Sequence, residues 1–258
     1  IAIQIYLVVN KTMLGSLDSV VAAGYFDQSD KVIRLVLAIV TATGTVMLPH
    51  VANAYMRGDV QKTKESLYSS FSFVSALSVP MMFGMIAITK KFVPLFFSEK
   101  FIAIVPLMQV ESIVILIIAW GSAIGVQYLL PTQQNKNYTM SVVLGAIVNI
   151  IINVPLILWL GAFGASIATL CSEITVSGYQ LFSIRKQISY KKLFHDFGKY
   201  ILAGFLMFMI VLLLDNRLGY SWGMLWLEVI IGACTYLLFL YLLKADILKE
   251  AKKILKIK

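Results

Sequence analysis

The sequence predicts an all-α, polytopic membrane protein with about eight transmembrane helices. The first observation is composition, because 59% of the 258 residues are hydrophobic and only 14% are charged, with a mean hydropathy of +0.85. The second is length, because the apolar segments run for about 20 residues, which matches a hydrocarbon core ~30 Å thick. The third is that most cations collect between these segments. A chain this apolar does not fit the class of soluble globular domains.

The apolar segments define eight predicted spans. They cover residues 1–14, 31–54, 67–89, 103–130, 139–160, 162–184, 199–215 and 222–243. The first span is partial, because the sequence opens inside an apolar run without an initiator Met or a basic leader. We therefore expect no signal peptide there, and we expect the chain to be the C-terminal part of a longer polypeptide.

The distribution of Lys and Arg predicts how the spans are oriented. If the spans alternate in direction, 15 of these cations lie on one side and 6 on the other. The richer side holds Arg57, Lys62, Lys64, Lys136, Arg185, Lys186, Lys191, Lys192, Lys199, Lys244, Lys249, Lys252, Lys253, Lys256 and Lys258, and the other holds Lys31, Arg34, Lys90, Lys91, Lys100 and Arg217. Cytoplasmic loops carry the excess of cations, so the C-terminus is predicted to be cytoplasmic. The net charge of +9 then faces the anionic headgroups of membrane lipids, and we expect no nucleic-acid partner.

Two cytoplasmic segments are predicted to lie on the membrane surface. Residues 190–195 and 247–256 place apolar side chains on one helical face and lysines elsewhere, which is typical of a helix on anionic lipid. Binding of a partner protein is the alternative for both segments. His195, in the first segment, is interpreted as a solvated interface residue.

Polar and small residues inside the spans predict how the helices pack. Asn149 and Asn153 are four residues apart, hence on one helical face, where hydrocarbon would penalise unbonded amides. We therefore expect polar groups opposite them. Gly121 and Gly125 form a GxxxG pattern, which is typical of closely packed helices.

Five sequence blocks carry a family resemblance. In chain order they are VNKTMLG at 9–15, AGYF at 23–26 with Lys31, VMLPH at 46–50, the pair GVQYLLP at 125–131 and GAIVNIIINVPLI at 145–157, and LGAFGASIAT at 160–169 with Glu173. Together these blocks resemble the bacterial polysaccharide flippases of the multidrug/oligosaccharidyl-lipid/polysaccharide exporter superfamily. That family moves undecaprenyl-diphosphate-linked sugar units across the cytoplasmic membrane. Two positions depart from its pattern, since Asn10 stands where an acid is common and His50 where Arg is common.

The resemblance implies two six-helix lobes around a central cavity, followed by two extra helices. Residues 1–186 would be the second lobe, with its first helix partial, and residues 187–258 would be the extra pair with an interfacial tail. The partners implied are the lipid-linked oligosaccharide, membrane lipids and the N-terminal lobe of the same polypeptide, which the sequence does not include. The location implied is the bacterial cytoplasmic membrane, in the synthesis of capsule, exopolysaccharide or O-antigen.

Cations and amides at depth are the candidate substrate-binding residues, because a diphosphate head group needs a shielded polar route. Lys11, Lys31 and Arg34 are candidates for attracting the diphosphate or an acidic sugar, and headgroup-facing charge is the alternative. Asp30 precedes Arg34 by four residues, close enough on a helix to hold its guanidinium. The candidates for binding sugar hydroxyls are Gln127, Asn149 and Asn153, for which bonding between helices is the alternative.

Two acids are the candidate coupling residues. Glu111 and Glu173 lie well inside predicted spans, where an ionisable group is a functional hypothesis by default. Each is a candidate proton site or cation ligand, and the alternative is a protonated or paired structural carboxyl. Glu228 is interpreted as structural. His50 is a candidate pH sensor, with a satisfied interface residue as the alternative.

The alternative functions lie within and outside the superfamily. A peptidoglycan lipid-precursor flippase and a multidrug exporter fit the same fold, although the cations around Arg34 favour an anionic lipid substrate. A membrane glycosyltransferase or polymerase needs a catalytic acidic motif, and Asp27 and Asp30 are too sparse for one; we expect them to cap the following helix. A non-transporting scaffold subunit would lack polar groups at depth. We expect no enzyme activity, cofactor or metal, and Cys171 and Cys234 to behave as small hydrophobes.

Overall fold

The computed structural model describes residues 2–215 and 219–248, and within them the secondary structure is helical. The helices are α1 (Ala2–Leu17), α2 (Val20–Met56), α3 (Val60–Phe96), α4 (Ile104–Gly121), α5 (Asn135–Leu160), α6 (Ala162–Ile184), α7 (Tyr190–Leu193), α8 (Phe197–Asp215) and α9 (Trp222–Leu242). A 3₁₀ turn covers Glu99–Phe101, and a π-helix over Ser122–Leu129 continues α4. Arg217 and residues 249–258, which include most of the predicted interfacial tail, lie outside the described residues.

The eight long helices correspond one to one with the eight predicted spans, which confirms the all-α class. Within the described residues, five segments are long and apolar enough to cross a membrane by length and composition. They are Val60–Phe96, Ile104–Leu129, Asn135–Leu160, Tyr190–Asp215 and Trp222–Leu242. The other three are α1, which has 16 residues, α2, which carries a group of charges, and α6, which carries several buried polar side chains. Several apolar helices of this length are the structure of a multi-pass membrane protein.

The beginning of α2 corrects a prediction about Asp27 and Asp30. The helix begins at Val20, eleven residues before the predicted span, because the Ser19 side chain accepts a hydrogen bond from the backbone N–H of Ala22 at 3.1 Å. This is an N-cap, which satisfies an N–H that the helix itself leaves unbonded. The prediction that the two aspartates cap the helix is therefore wrong, since both lie inside it.

Close packing of α4 against α6 confirms the role expected of the GxxxG pattern. A methyl group added at Gly121 would lie 2.9 Å from Ser177 Oγ, and one added at Gly125 would lie 2.7 Å from Gln180 Nε2. A side chain at either position would have to displace these α6 side chains, so the glycines allow α6 to pack closely here. Gly125 lies in the π-helix, a rare conformation that is often found at functional sites.

Helices α1 to α6 pack on one another, and the pair α8–α9 is joined to them mainly through α3. A methyl group added at Gly204 of α8 would lie 2.6 Å from Val79 Cγ1 of α3. On α9, the Tyr236 hydroxyl donates a hydrogen bond to the Ala76 carbonyl at 2.8 Å. The pair is thus closely fitted to α3, whereas the boundary between residues 1–186 and 187–258 stays a prediction.

Long helices that follow one another in the chain run in opposite directions, so their connections collect at two ends of the bundle. The α1–α2 end holds the turn at Asp18, which lies beside Gly161 between α5 and α6. The α2–α3 end holds the turn at Gly58 and the segment after α6, where the Tyr68 hydroxyl accepts from the Ser189 backbone N–H at 2.9 Å. Which end faces the cytoplasm stays a prediction from the distribution of cations.

Candidate substrate and coupling site

Five charged residues near the α1–α2 end form one network, the α1–α2 charge cluster. It consists of Lys11, Asp27, Asp30, Lys31 and Arg34. Lys11 donates a hydrogen bond to Asp27, and its Nζ lies 3.8 Å from Asp30 Oδ2. Lys31 Nζ lies 2.6 Å from Asp27 Oδ2. Arg34 Nε donates to the two carboxylate oxygens of Asp30 at 2.8 and 2.9 Å, as its spacing from Asp30 predicts.

The cations of this cluster reach the surface more than its acids do. The Lys31 side chain is 60% exposed, and those of Lys11 and Arg34 are 33% and 34% exposed, against 25% for Asp27 and 9% for Asp30. The carboxylates thus lie beneath the cations. With three cations over two carboxylates, the accessible side of the cluster is positive and suited to an anion.

Glu111 lies directly beside this cluster. It is 3% exposed, and its carboxyl group accepts a hydrogen bond from Ser29 of α2 and another from Ser166 of α6 at 3.1 Å. Ser29 immediately precedes Asp30 in α2, so the acid of α4 is tied to the helix that carries the charge cluster. A buried ionisable group is thus hydrogen-bonded to the residue of α2 that precedes a carboxylate of the charge cluster.

Amides and a hydroxyl join α1, α5 and α6 in a second buried network. Asn153 Nδ2 donates to Asn10 Oδ1 at 2.9 Å, and Asn10 Nδ2 donates to Thr169 Oγ1 at 3.0 Å. The expectation that a polar group faces the asparagines of α5 is confirmed for Asn153. Asn10 stands where the family's acid is common, and here it connects the network as a neutral amide.

Asn149 completes the polar face of α5. Its side chain is fully buried, and neither its amide nitrogen nor its oxygen has a hydrogen-bond partner among the described residues. Asn153 is also fully buried. The structure therefore places both amides inside the helix bundle, and their contact with sugar hydroxyls stays a prediction.

The remaining predicted site residues lie elsewhere. Gln127 is in the π-helix, sixteen residues beyond Glu111 in the chain and about 24 Å along the helix axis. It accepts a hydrogen bond from Ser70 of α3 and is 1% exposed. Glu173 is 6% exposed on α6, one turn after Thr169. The structure thus groups Lys11, Lys31, Arg34 and Glu111 and does not bring Gln127 to them.

A further ionic group, the α3–α8–α9 charge cluster, was not expected as a group. It consists of Lys91 of α3, Asp215 of α8 and Glu228 of α9. Lys91 Nζ donates to Glu228 and lies 3.0 Å from Asp215 Oδ1. The side chains of Lys91 and Glu228 are 1% and 0% exposed. The structural role expected of Glu228 agrees with its pairing to Lys91. The two residues are 137 positions apart in the chain, so sequence spacing gives no signal for Lys91.

An apolar groove runs between α3 and the pair α8–α9. Its volume is about 580 Å³, and its walls include Pro80, Met85, Met207, Gly232, Tyr236 and, near the charge cluster, Glu228. Most of this lining is hydrocarbon. A groove with such walls accommodates an alkyl or polyprenyl chain rather than a polar head group.

The α2–α3 end carries polar cavities. One of about 720 Å³ is lined by His50, Arg57, Lys62, Ser66 and Ser69, among others. Among the described residues, His195, Asp196 and Asp246 also lie close enough together to hold a metal ion. The Asp196 carboxylate is already engaged, because Lys199 Nζ lies 2.7 Å from it and the Asp246 backbone N–H donates to it at 2.7 Å. A cation is thus supplied by the protein itself.

Comparisons with known proteins agree with this architecture. Residues 2–106 match the model of a family described as polysaccharide biosynthesis protein. The lipopolysaccharide biosynthesis protein WzxC of Escherichia coli (strain K12) is 32% identical over 74 residues, which are 29% of this chain and 15% of WzxC. The structure of the lipid II flippase MurJ in an inward closed conformation superposes with a TM-score of 0.83 at 20% identity, over 96% of this chain and 52% of that one.

These comparisons support the relationship that the sequence blocks indicated. The family match covers α1 to α3, including the α1–α2 charge cluster, and the structural match extends the common fold to α9. The chain spans 15% of WzxC and about half of MurJ.

Proposed function

We propose that this chain, a relative of the polysaccharide flippases of the multidrug/oligosaccharidyl-lipid/polysaccharide exporter superfamily, helps to flip undecaprenyl-diphosphate-linked polysaccharide units across the bacterial cytoplasmic membrane. The observation that carries the proposal is the exposed cationic side of the α1–α2 charge cluster, with its carboxylates beneath. A diphosphate is a compact dianion, and ammonium and guanidinium groups are its usual protein partners. The movement itself breaks no covalent bond, so no enzyme activity is needed.

The apolar groove supports a lipid-linked substrate over a free sugar. In the proposed complex, the diphosphate lies at Lys11, Lys31 and Arg34, while the polyprenyl chain stays in hydrocarbon and lies along α3 and α9. A substrate with both parts would use a cationic surface and an apolar groove of the same molecule. A cationic drug would be repelled by the cluster, which is why a multidrug exporter is the weaker alternative.

Coupling is assigned to acids in the same proposal. Glu111 has hydroxyl donors on α2 and α6, so a change in its protonation alters hydrogen bonds between three helices. Because Ser29 precedes Asp30, such a change reaches the carboxylate that holds Arg34. Glu173 is the second coupling candidate, from its burial in α6. In transport by alternating access, the hydrogen bonds of Glu111 would then link the binding of a proton or another cation to helix movement.

The test of the substrate site is a flipping assay with the natural polypeptide that contains these residues. Proteoliposomes would hold a fluorescent undecaprenyl-diphosphate sugar, and its movement between leaflets would be followed. We expect Arg34→Ala to lose flipping without losing membrane abundance, and Arg34→Lys to recover only part of it, because an ammonium lacks the planar fork. Arg185→Ala is the matched control, since Arg185 is exposed near the other end of the bundle and contacts Phe182. Normal flipping by Arg34→Ala would refute the site.

The same vesicles distinguish the related substrates. A lipid-linked polysaccharide unit, the peptidoglycan lipid precursor and a cationic dye would be compared at equal concentration. Preference for the peptidoglycan precursor would favour the alternative flippase, and transport of the dye alone would favour a drug exporter. Movement of none of the three would favour a scaffold subunit.

Coupling has its own experiment. With an imposed pH gradient, Glu111→Gln and Glu173→Gln would be measured separately, because glutamine keeps the size and hydrogen bonding of glutamate but does not ionise. We expect gradient-driven flipping to fall in a coupling variant while substrate binding is retained. Wild-type rates for either variant would remove that residue from coupling, and a loss of folding only on replacement by Leu would indicate a structural role.

Orientation completes the proposal. Single cysteines at Lys191 and Lys100, in a background without Cys171 and Cys234, would be exposed to an impermeant thiol reagent in intact cells. We expect a cysteine at Lys100 to be labelled and one at Lys191 to be protected, because the end with more cations is predicted to be cytoplasmic. Labelling at Lys191 would reverse the orientation.

A further inference from the structure

The α3–α8–α9 charge cluster joins three helices at a single point. Lys91 of α3 lies between a carboxylate of α8 and a carboxylate of α9, and it also approaches the Asp215 backbone carbonyl at 3.5 Å. The Tyr220 ring lies 5.8 Å from the same ammonium group. Because α8 and α9 meet the rest of the bundle mainly through α3, this cluster fixes how the pair sits at the α1–α2 end.

A buried ion cluster is a poor device for stability alone. Apolar side chains of similar size often stabilise a structure as well or better, because they avoid the desolvation of charges. Ionic groups nevertheless demand one relative position, since a shift of a few ångströms would leave a charge unpaired in an apolar environment. The physical property that distinguishes this cluster from apolar packing is therefore its control over position.

Glu228 connects this control to the apolar groove. The same side chain that binds Lys91 also contributes to the lining of the groove. At the other end of the pair, the Tyr200 and Ser72 hydroxyls lie 2.6 Å apart, and Tyr236 is bonded to Ala76. The helix α9 is thus bonded to α3 at two places, through Tyr236 and through the ion pair of Glu228 with Lys91, and the groove runs between the two helices.

We propose that Lys91 is a positioning residue for transport, which holds α9 against α3 through Glu228 and Asp215 and so shapes the groove for a long polyprenyl chain. This inference rests on the proposed function, because it takes the lipid part of the substrate as the occupant of the groove. It predicts that the charge cluster governs selectivity for chain length rather than the rate of the flipping step.

The experiment compares the same diphosphate sugar on a farnesyl and on an undecaprenyl chain, in proteoliposomes containing the natural polypeptide. The main variant is Lys91→Met combined with Asp215→Asn and Glu228→Gln, which removes every charge of the cluster and leaves none unpaired. We expect wild-type abundance and an unchanged kcat, with KM for the undecaprenyl substrate raised about tenfold, the effect of one lost favourable contact. KM for the farnesyl substrate is expected to stay constant.

Further variants test whether the charge of Lys91 itself is responsible for the preference. Lys90→Met is the matched control, because Lys90 is the exposed neighbour on the same helix, and it should keep the preference for the long chain. Lys91→Arg keeps the charge and should keep the preference in large part. If the triple variant fails to accumulate, the exchange Lys91→Glu with Glu228→Lys keeps one ion pair between α3 and α9 with its two charges reversed. The double variant should prefer the undecaprenyl substrate, whereas Lys91→Glu alone should have lost this preference.

The outcomes separate this inference from the proposed function. A wild-type protein that flips both substrates with equal KM would mean that the groove does not take the chain, and both proposals about the groove would fail. If the wild-type protein prefers the undecaprenyl substrate and the triple variant keeps this preference, the positioning role is overturned and the proposed function is not. Equal loss of kcat for both substrates would also overturn it, because that result indicates a general structural defect.

Discussion

The two charge clusters use the same chemistry, an ammonium or guanidinium group beside carboxylates, but they differ in how far their cations are exposed at the surface of the described chain. In the α1–α2 charge cluster the Lys31 side chain is 60% exposed, whereas in the α3–α8–α9 charge cluster Lys91 is 1% exposed. Water and salt screen an exposed pair, so the charges remain available to an incoming ion. The buried ammonium group of Lys91 instead lies against groups of the protein, among them the carboxylates of Asp215 and Glu228. The difference teaches that exposure, more than residue type, distinguishes the cluster proposed to attract a ligand from the cluster proposed to position helices.

The largest effect is expected from removing one member of the buried cluster. Lys91→Ala leaves Asp215 and Glu228 without their ammonium group, and breaking a buried pair in this way costs about 3–5 kcal/mol. Thermal unfolding of the purified protein in detergent would measure the loss. Lys90→Ala, on the exposed neighbour, should change stability by no more than about 0.5 kcal/mol. Equal melting temperatures for the two variants would mean that burial does not distinguish the clusters.

A neutral network that is equally buried sharpens the comparison by separating burial from charge. Asn153→Ala leaves Asn10 Oδ1 without its donor, and an unsatisfied buried polar group costs about 1–3 kcal/mol. The cost should fall below that of Lys91→Ala, because no net charge is stranded. Ile151→Ala is the control on the same helix, since Ile151 is 65% exposed. If Asn153→Ala lowered the free energy of unfolding as much as Lys91→Ala, charge would add nothing to the cost of breaking a buried contact.

The smallest effect on stability is expected at the exposed cluster. Lys31→Ala removes one ion pair with Asp27 and should cost no more than about 1 kcal/mol, because exposed pairs are screened and flexible. Its effect on flipping should instead depend on ionic strength and disappear as salt is raised. Unfolding and flipping measured at low and high salt would test both statements. A salt-independent loss of stability above that of Asn153→Ala would contradict the division between the clusters.

Local spacing made part of this site predictable from the sequence. Asp30 and Arg34 are four residues apart in one helix, so their contact follows from helix geometry, and the structure has it at 2.8 Å. The long helices were predictable because segment length and hydropathy are also local properties of the sequence. The beginning of α2 was missed because Ser19 caps the helix ahead of a stretch too polar to resemble a membrane span.

For contacts between distant segments, the sequence predicted the chemical type of the partner but not which residue it is. The amides of α5 required polar partners, but nothing in the sequence selects Asn10, which is 143 residues from Asn153. Ser29 and Ser166, which bind Glu111, are common residues without a recognisable spacing. Lys91 was counted only as a loop cation, because its partner Glu228 is 137 residues away.

The distance between Lys91 and Glu228 along the chain has a consequence for biosynthesis. At about 5–20 residues per second, a ribosome needs roughly 7–30 s to pass from one residue to the other. During this interval the ammonium group of Lys91 has been synthesised and its acidic partner on α9 has not. Lys91 lies near the end of α3, so its ammonium group is expected to stay among the headgroups until α8 and α9 arrive and bury it. The last pair of helices would thus complete the membrane insertion of a helix made long before it.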